Sequence, residues 1–215
     1  LDRYAEQIRL TLFAKPKEVM LFCYGALVES IKQPDGSDKP VSTITSVAGN
    51  VFEEADSFLD KLGQPYGIPS YKPYNSSGED FLDNYIGMLG IPIEIVPEFP
   101  FESNIVFLTA CVQFDGKIVE KIQGQLIKGK TVVITSGLLK ELHGKGIENI
   151  VEVEHTNKKA LVNKFMQFAD INQSDTEILI PQIKYATNDS WETITCLSKG
   201  NGYPLLLQVR YAKGI

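Results

Sequence analysis

The hydrophobic pattern of the stretch 104–144 changes twice, in the order strand, helix, strand. An almost wholly apolar run at 105–108 is typical of a strand that is covered on both faces. Apolar residues at three- and four-residue spacing then predict a helix that Asp115 caps and Gly129 ends. A β-branched run at 131–135 predicts a second buried strand. Together these elements predict a right-handed βαβ unit in a mostly parallel sheet.

A strand-to-helix turn follows directly, because Ser136 and Gly137 lead from the second strand into a short helix at 138–142. In open α/β sheets such turns lie at the carboxyl edge of the sheet, where ligands bind. This edge is therefore where we look for chemistry.

The periodicity on both sides of this unit predicts further helices and strands. Helices are predicted at 1–14, 51–62, 82–89 and 157–168, and strands at 18–24, 66–71, 91–96 and 147–153. In the third helix, the apolar residues predicted to share one face are Leu82, Tyr85, Ile86 and Leu89. The pairs Ser76/Glu79 and Ser77/Asp80 have the spacing of a capping box. Strand-like runs at 177–184, 191–197 and 204–211 predict a small antiparallel sheet over about 170–215.

Composition is that of a globular protein, with 43% hydrophobic residues in 215. A net charge of −6 and the lack of a Lys/Arg cluster exclude a nucleic-acid surface. No apolar run is long enough to predict a membrane span, so no membrane partner is expected. The composition does not indicate a cellular compartment. Cys23, Cys111 and Cys196 lie far apart, which favours buried free thiols over disulfides.

The domain organisation is predicted from a polar stretch at 33–49 that is rich in Gly, Pro, Ser and Thr and is interpreted as a linker. It separates a helix-strand segment at 1–32 from an α/β domain at 50–215. The chain begins with Leu1 inside a helical pattern and stops after Ile215 without a closing element. We therefore expect a piece of a longer protein.

Three phrases carry a resemblance to a known family: GEDFLDNYIGMLGIPIEIVPEFP (78–100), the stretch 104–144, and NGYPLLLQVRYAKG (201–214). They resemble the class I glutamine amidotransferase-like domain attached behind the barrel of beta-galactosidases and related glycoside hydrolase-like proteins. Ala212 stands where glycine is usual in that family. The resemblance implies a three-layer, flavodoxin-like α/β fold with a β-rich end. It also implies that 1–32 is the last helix and strand of a catalytic barrel.

The resemblance does not imply amidotransferase activity. An active enzyme needs a cysteine at the strand-helix turn, together with a histidine and a carboxylate that orient it. Here Thr135 and Ser136 occupy the turn, and no downstream His-x-Glu pair follows. No catalytic residue, metal ligand or cofactor is therefore assigned.

The loop YKPYNSSGED (71–80) mixes aromatic and polar residues, which is typical of a ligand or interface edge. The residues assigned to this candidate edge are Tyr74, Ser76, Glu79, Cys111 and Ser136. Cys111 follows the strand at 105–110, and we expect its thiol to be inert. Ser136 is interpreted as a helix-capping hydroxyl.

Three other groups have structural explanations. Glu79, Asp80 and Asp83 fit the first turn of a helix, where the helix dipole favours negative charge. His143 and His155 are interpreted as surface or capping residues. The aromatic residues of the C-terminal strands, which offer a surface for sugar stacking, more often cover a sheet; they are Trp191, Tyr203 and Tyr211.

These patterns predict a non-catalytic accessory domain of a larger carbohydrate-active protein, acting in domain packing or oligomerisation. Its predicted partners are its own catalytic barrel, a second copy of the chain, or a carbohydrate. Two alternatives remain open. One is a small-molecule or sugar-binding module at the carboxyl edge, and the other is a divergent thiol enzyme centred on Cys111.

Overall fold

The computed structural model describes residues 1–21, 23–40, 43–64, 66–186 and 188–215. The chain divides into two compact units, Leu1–Tyr66 and Gly67–Ile215. In the described residues, no helix is both long enough and apolar enough to cross a membrane.

The first unit is built on two packed helices. Its elements are α1 (Asp2–Phe13), α2 (Tyr24–Leu27), β1 (Ser30–Lys32), β2 (Asp38–Pro40) and α3 (Ile44–Asp56), followed by a 3-10 turn (Leu59–Lys61). β1 and β2 form an antiparallel pair. The buried residues between α1 and α3 are Ala5, Ile8, Ala48 and Val51. A salt bridge of 2.7 Å joins Arg9 to Glu54 beside this contact.

The strand predicted at 18–24 is wrong for the residues that the structure describes. Residues 18–21 and Cys23 are not in a strand, Tyr24 opens α2, and Phe22 lies outside the described residues. Met20 is 94% exposed. An apolar run becomes a strand only where another strand takes up its backbone hydrogen bonds, and none pairs with these residues. Cys23 is also exposed rather than buried.

The helix predicted to follow Asn50 begins earlier, at Ile44. Its first turns are therefore inside the predicted linker, because Ala48 is buried in the contact with α1 and holds them helical. Residues 41 and 42 of that linker lie outside the described residues. The division into barrel segment, linker and α/β domain stays a prediction.

The second unit joins a parallel sheet to an antiparallel one. Its elements are β3 (Ile68–Tyr71), α4 (Leu82–Met88), β4 (Ile93–Val96), β5 (Ile105–Leu108), α5 (Ile118–Ile127), β6 (Thr131–Ile134), α6 (Ser136–Glu141), β7 (Val153–Gln167), β8 (Asp170–Tyr185), β9 (Ser190–Ser198) and β10 (Asn201–Val209). The parallel sheet has the order β4-β3-β5-β6, and the antiparallel sheet has the order β10-β9-β7-β8. The fold class is thus mixed α/β.

The predicted βαβ unit is confirmed. β5 and β6 are parallel, with Ile105 opposite Thr131 and Leu108 opposite Ile134. Gly129 has a φ of +80°, which is the left-handed conformation expected after the helix. Asp115 caps differently from the prediction, since its Oδ1 accepts from the Lys117 N–H in the turn before α5. The core of this unit lies between the sheet, α5 and α6.

The helix predicted at 157–168 is wrong, because these residues belong to β7 and the turn after it. Ala160 and Val162 are buried whereas Leu161 is 49% exposed, which is the two-residue period of a strand. β8 pairs with β7 along almost its whole length and satisfies its backbone. The strand predicted at 147–153 is also wrong, and a 3-10 turn at Ile147–Asn149 takes its place. The predicted antiparallel C-terminal strands are confirmed.

α4 exists as predicted but presents a different face to the sheet. Tyr85 and Leu89 are 63% and 80% exposed, and Asp83 is buried instead. Neither predicted capping box forms, because Phe81 is the N-cap residue and no side-chain cap bond is present. The side chain of Glu79 is bound elsewhere, as described next.

Candidate functional site

The order in which strands are added to the parallel sheet reverses between β3 and β5. β4 lies on one side of β3, and the next strand, β5, lies on the other side. In such sheets the loops after the two central strands diverge and leave a crevice at their carboxyl ends, where ligands usually bind. The candidate site is therefore the region beyond Tyr71 and Leu108.

The loop 72–81, here called the crossing loop, occupies this crevice. Three of its residues have positive φ angles: Asn75 at +59°, Gly78 at +138° and Glu79 at +54°. A salt bridge of 2.7 Å from Lys72 to Asp80 closes the base of the loop. The hydrogen bond from Lys72 lowers the pKa of Asp80.

Glu79 connects the ends of β5 and β6. Its Oε2 accepts a hydrogen bond of 2.7 Å from the Ala110 N–H and one of 2.6 Å from the Thr135 hydroxyl. The Thr135 hydroxyl oxygen also accepts from the Leu138 N–H and so caps α6. A carboxylate of the protein itself is thus bound at the point where a ligand would be expected.

Two glycines allow the crossing loop to approach this closely. A Cβ atom on Gly137 would lie 2.4 Å from Oε1 of Glu79, and one on Gly78 would lie 2.9 Å from the Cys111 backbone nitrogen. A side chain at Gly78 would collide with the backbone, so only glycine fits there, whereas a side chain at Gly137 would displace the Glu79 carboxylate.

Cys111 is not available to solvent. Its exposed fraction is 2%, and its Sγ accepts from the Thr109 hydroxyl at 3.1 Å. It lies in a 3-10 turn, Ala110–Phe114, rather than at the N-terminus of a regular helix. The nearby cation, Lys72, is paired with Asp80 at 2.7 Å.

The remaining predicted site residues are at the same edge but have different roles. Ser136 is exposed and does not cap α6, because Thr135 one position earlier does so. Tyr74 is 78% exposed. The Ser76 hydroxyl donates to the Pro73 carbonyl oxygen within the crossing loop.

A partly buried ion pair supports the crevice from the side of α5. Oδ2 of Asp115 accepts from Lys121 at 2.6 Å and from the Tyr71 hydroxyl at 3.0 Å. Lys121 also lies 5.2 Å from the centre of the Tyr71 ring and 5.5 Å from that of Phe99. Burial and the bond to Asp115 raise the pKa of Tyr71 to about 12. Burial alone would raise the pKa of Asp115, but the bonds from Lys121, the Lys117 N–H and Tyr71 lower it.

The chemistry of the surrounding groups is limited. In the described part of the chain, no cluster of three or more His, Cys, Asp or Glu side chains is placed to hold a metal ion. His143 is exposed and pairs with Glu148 at 2.9 Å. Tyr203 packs in the core of the antiparallel sheet whereas Tyr211 packs against that of the parallel sheet, so they do not form one platform.

A cavity of about 370 Å³ lies beside β6, toward β10. Val, Ile and Leu side chains dominate its lining, and Tyr211 is the one titratable residue among the described lining residues. Glycoside hydrolysis requires a pair of carboxyl groups, and this cavity does not supply them.

The sequence predicts that Glu79 and the strand-to-helix turn lie at one edge, but it carries no signal for the hydrogen bond between Glu79 and Thr135. A threonine just before a short helix is itself a signal for a cap, and Thr135 has that position. The left-handed backbone of Glu79 has no signal of its own, since this conformation is uncommon for residues other than Gly, Asn and Asp. The one signal nearby is Gly78, since a glycine is typical of a tight turn or a close backbone approach.

Residues 67–215 are therefore a mixed α/β domain with a four-stranded parallel sheet, an antiparallel β portion and a carboxyl edge closed by its own loop. The family model described as "Uncharacterized protein SSO3021, second domain" matches residues 63–215. The chain belongs to this family. No curated protein matches it by sequence.

Two solved structures are similar in fold. One is Gan42B, a GH42 beta-galactosidase, with a TM-score of 0.57 and 11% identity over 87% of this chain and 31% of that chain. The other is the exo-beta-1,4-mannosidase Op5Man5 from Opitutaceae bacterium strain TAV5, with a TM-score of 0.50 and 13% identity over 87% of this chain and 35% of that chain. The chain thus spans about a third of the length of these glycoside hydrolases.

Proposed function

We propose that this chain is a non-catalytic accessory part of a larger, glycoside hydrolase-like, carbohydrate-active protein. It acts by packing against other domains or by oligomerisation. The fold similarity to a beta-galactosidase and a mannosidase supports the carbohydrate-active context. A barrel elsewhere in the parent protein would carry the hydrolysis.

Within this proposal the second unit is amidotransferase-like and flavodoxin-like. The strand order β4-β3-β5-β6 corresponds to second, first, third and fourth along the unit, and this agrees with the first four positions of the five-strand flavodoxin-like order 2-1-3-4-5, which supports the proposal. The turn after β6 has the place of the catalytic elbow. It carries Thr135 and Ser136 instead of a cysteine.

The observation that carries the proposal is the position of Glu79. Its carboxylate takes up the Ala110 N–H and the Thr135 hydroxyl, which are donors that an open site would offer to a ligand. Cys111, the one thiol at this edge in the described residues, is buried. An enzyme site exposes its reactive groups, whereas here they stabilise the fold.

The proposal is tested with nitrophenyl β-galactoside and β-mannoside as substrates for the purified chain. We expect no release of nitrophenol above buffer from the wild type or from Glu79→Ala, in which the edge is opened. A rate that rises in proportion to the protein concentration and co-purifies with the chain would contradict a non-catalytic role.

Binding of a small sugar at the same edge is a second candidate, and exposure of the Tyr74 ring at 78% favours it. Galactose and mannose would then shift the amide resonances of the crossing loop. Tyr74→Ala would abolish those shifts. A spectrum that sugar leaves unchanged would eliminate this candidate.

A further inference from the structure

One side of α4, together with its cap residues Phe81 and Leu89, exposes a row of large apolar side chains. Phe81, Tyr85, Met88 and Leu89 are exposed by 70%, 63%, 82% and 80%. Their spacing of four, three and one places them within about 100° of one another around a helix. Single exposed apolar residues are normal on a protein surface, but a contiguous row marks an interaction site.

The row carries no charge. Asp83 is the one charged residue within α4, and it is buried, with 7% exposure. Exposed apolar residues also occur at the edge strand β4, with Ile91 just before it at 44% and Ile95 within it at 52%. Glu94 lies between them in sequence and is exposed at the rim.

We propose that this α4 surface, formed by Phe81, Tyr85, Met88 and Leu89, is the contact between two copies of this chain. The inference deepens the proposed accessory function by naming the partner. A charge-free patch is complementary to itself, whereas a charged patch would repel its own copy in a two-fold contact. A charged partner surface would find no opposite charge on the α4 surface.

The size of the surface suits a dimer. Large apolar side chains bury on the order of 150–200 Å² each, so four that are about three-quarters exposed offer roughly 500 Å² per copy. Two copies would then bury roughly 1,000 Å² in total, which is the lower end for a specific interface.

The spacing also defines how two copies would meet. When two α4 helices lie antiparallel about a two-fold axis at Tyr85, Phe81 of each copy lies against Met88 and Leu89 of the other. Tyr85 then meets its own counterpart on the axis. Positions near the axis are the most sensitive to charge.

The experiment measures the mass of the chain by sedimentation velocity over a concentration series. We expect a dimer at micromolar concentrations for the wild type. The double variant Tyr85→Lys/Leu89→Lys should weaken dimerisation by at least about 100-fold, since buried like charges oppose each other at the contact. The matched control Phe168→Lys/Ile171→Lys changes side chains of 89% and 59% exposure at the β7–β8 turn and should leave the dimer intact.

The substituted side chains are exposed, so the variants should fold, and Trp191 fluorescence checks this. Met88→Lys, at 82% exposure, provides a second, milder variant that should weaken the dimer in the same direction. A wild-type monomer up to about 100 µM would overturn the inference, as would a dimer that the α4 variants leave unchanged. Neither result bears on the hydrolysis assay, so a failure here is distinct from a failure of the non-catalytic role.

Discussion

Removing the Glu79 carboxylate should destabilise the second unit by about 2 kcal/mol. Glu79→Ala leaves the Ala110 N–H without its acceptor, and Ala110 is only 8% exposed. An unsatisfied buried donor costs about 1–3 kcal/mol. The Thr135 hydroxyl loses its hydrogen bond as well, but it lies closer to solvent and can donate to water instead. The loss of this bond therefore adds about 0.5 kcal/mol at most.

The assay is a urea titration followed by Trp191 fluorescence. Trp191 is the one tryptophan of the chain and lies in β9, so its signal reports the unit that contains Glu79. A loss of about 2 kcal/mol corresponds to a fall in Tm of about 4–8 °C for a domain of this size. Glu79→Gln keeps an acceptor oxygen for the Ala110 N–H and should lose about half as much. If Glu79→Ala stays within about 0.5 kcal/mol of the wild type, the carboxylate does not close the edge.

Three further predictions concern other positions. Gly214→Ala would place a Cβ 2.5 Å from a backbone oxygen and should cost about 1–3 kcal/mol, whereas the control Gly124→Ala, in an open position within α5, should be neutral or stabilising in the same urea titration. Because the pKa of Tyr71 is raised from 10.0 to about 12, its contribution to stability is full below pH 10 and is lost as the pH rises toward 12; Tyr71→Phe should flatten the stability curve between those values. In the folded chain, iodoacetamide should label the exposed Cys23 quickly and the buried Cys111 only on unfolding, and rapid labelling of Cys111 at pH 6 would refute its inert role.

The parallel sheet could be predicted because its signals are local. The apolar run at 105–108 and the β-branched run at 131–135 are recognisable from residue type, and the helix between them has a clear period and ends before Gly129. Short connections then restrict the topology, so the βαβ unit followed from the sequence.

The long hairpin of β7 and β8 could not be predicted in the same way. Leu161, Phe165 and Phe168 have helical spacing, yet the backbone is extended because β8 pairs with it. Phe168 is in the turn itself and is 89% exposed. The pairing of Leu161 with Leu179 and of Phe165 with Asn172 decides the structure of this segment, and such pairing leaves little trace in the local pattern.

The candidate site was predicted only in its location. The rule that ligands bind at the carboxyl edge pointed to Glu79, Cys111 and Ser136, and all three lie at that edge. Whether the edge is open depends on a left-handed residue at position 79 and on the close approach of Gly78 to the backbone of Cys111, which only the three-dimensional structure shows. The predicted capping role of Glu79 failed because this longer-range contact takes its carboxylate.

Hydrogen exchange at the Ala110 amide tests the closed carboxyl edge most directly. If Glu79 holds this amide as described, it should exchange about as slowly as the amides of β5, and galactose or mannose should not change its rate. Fast exchange in the free chain that either sugar slows would contradict the account, because it would mean that the edge is open and binds a ligand.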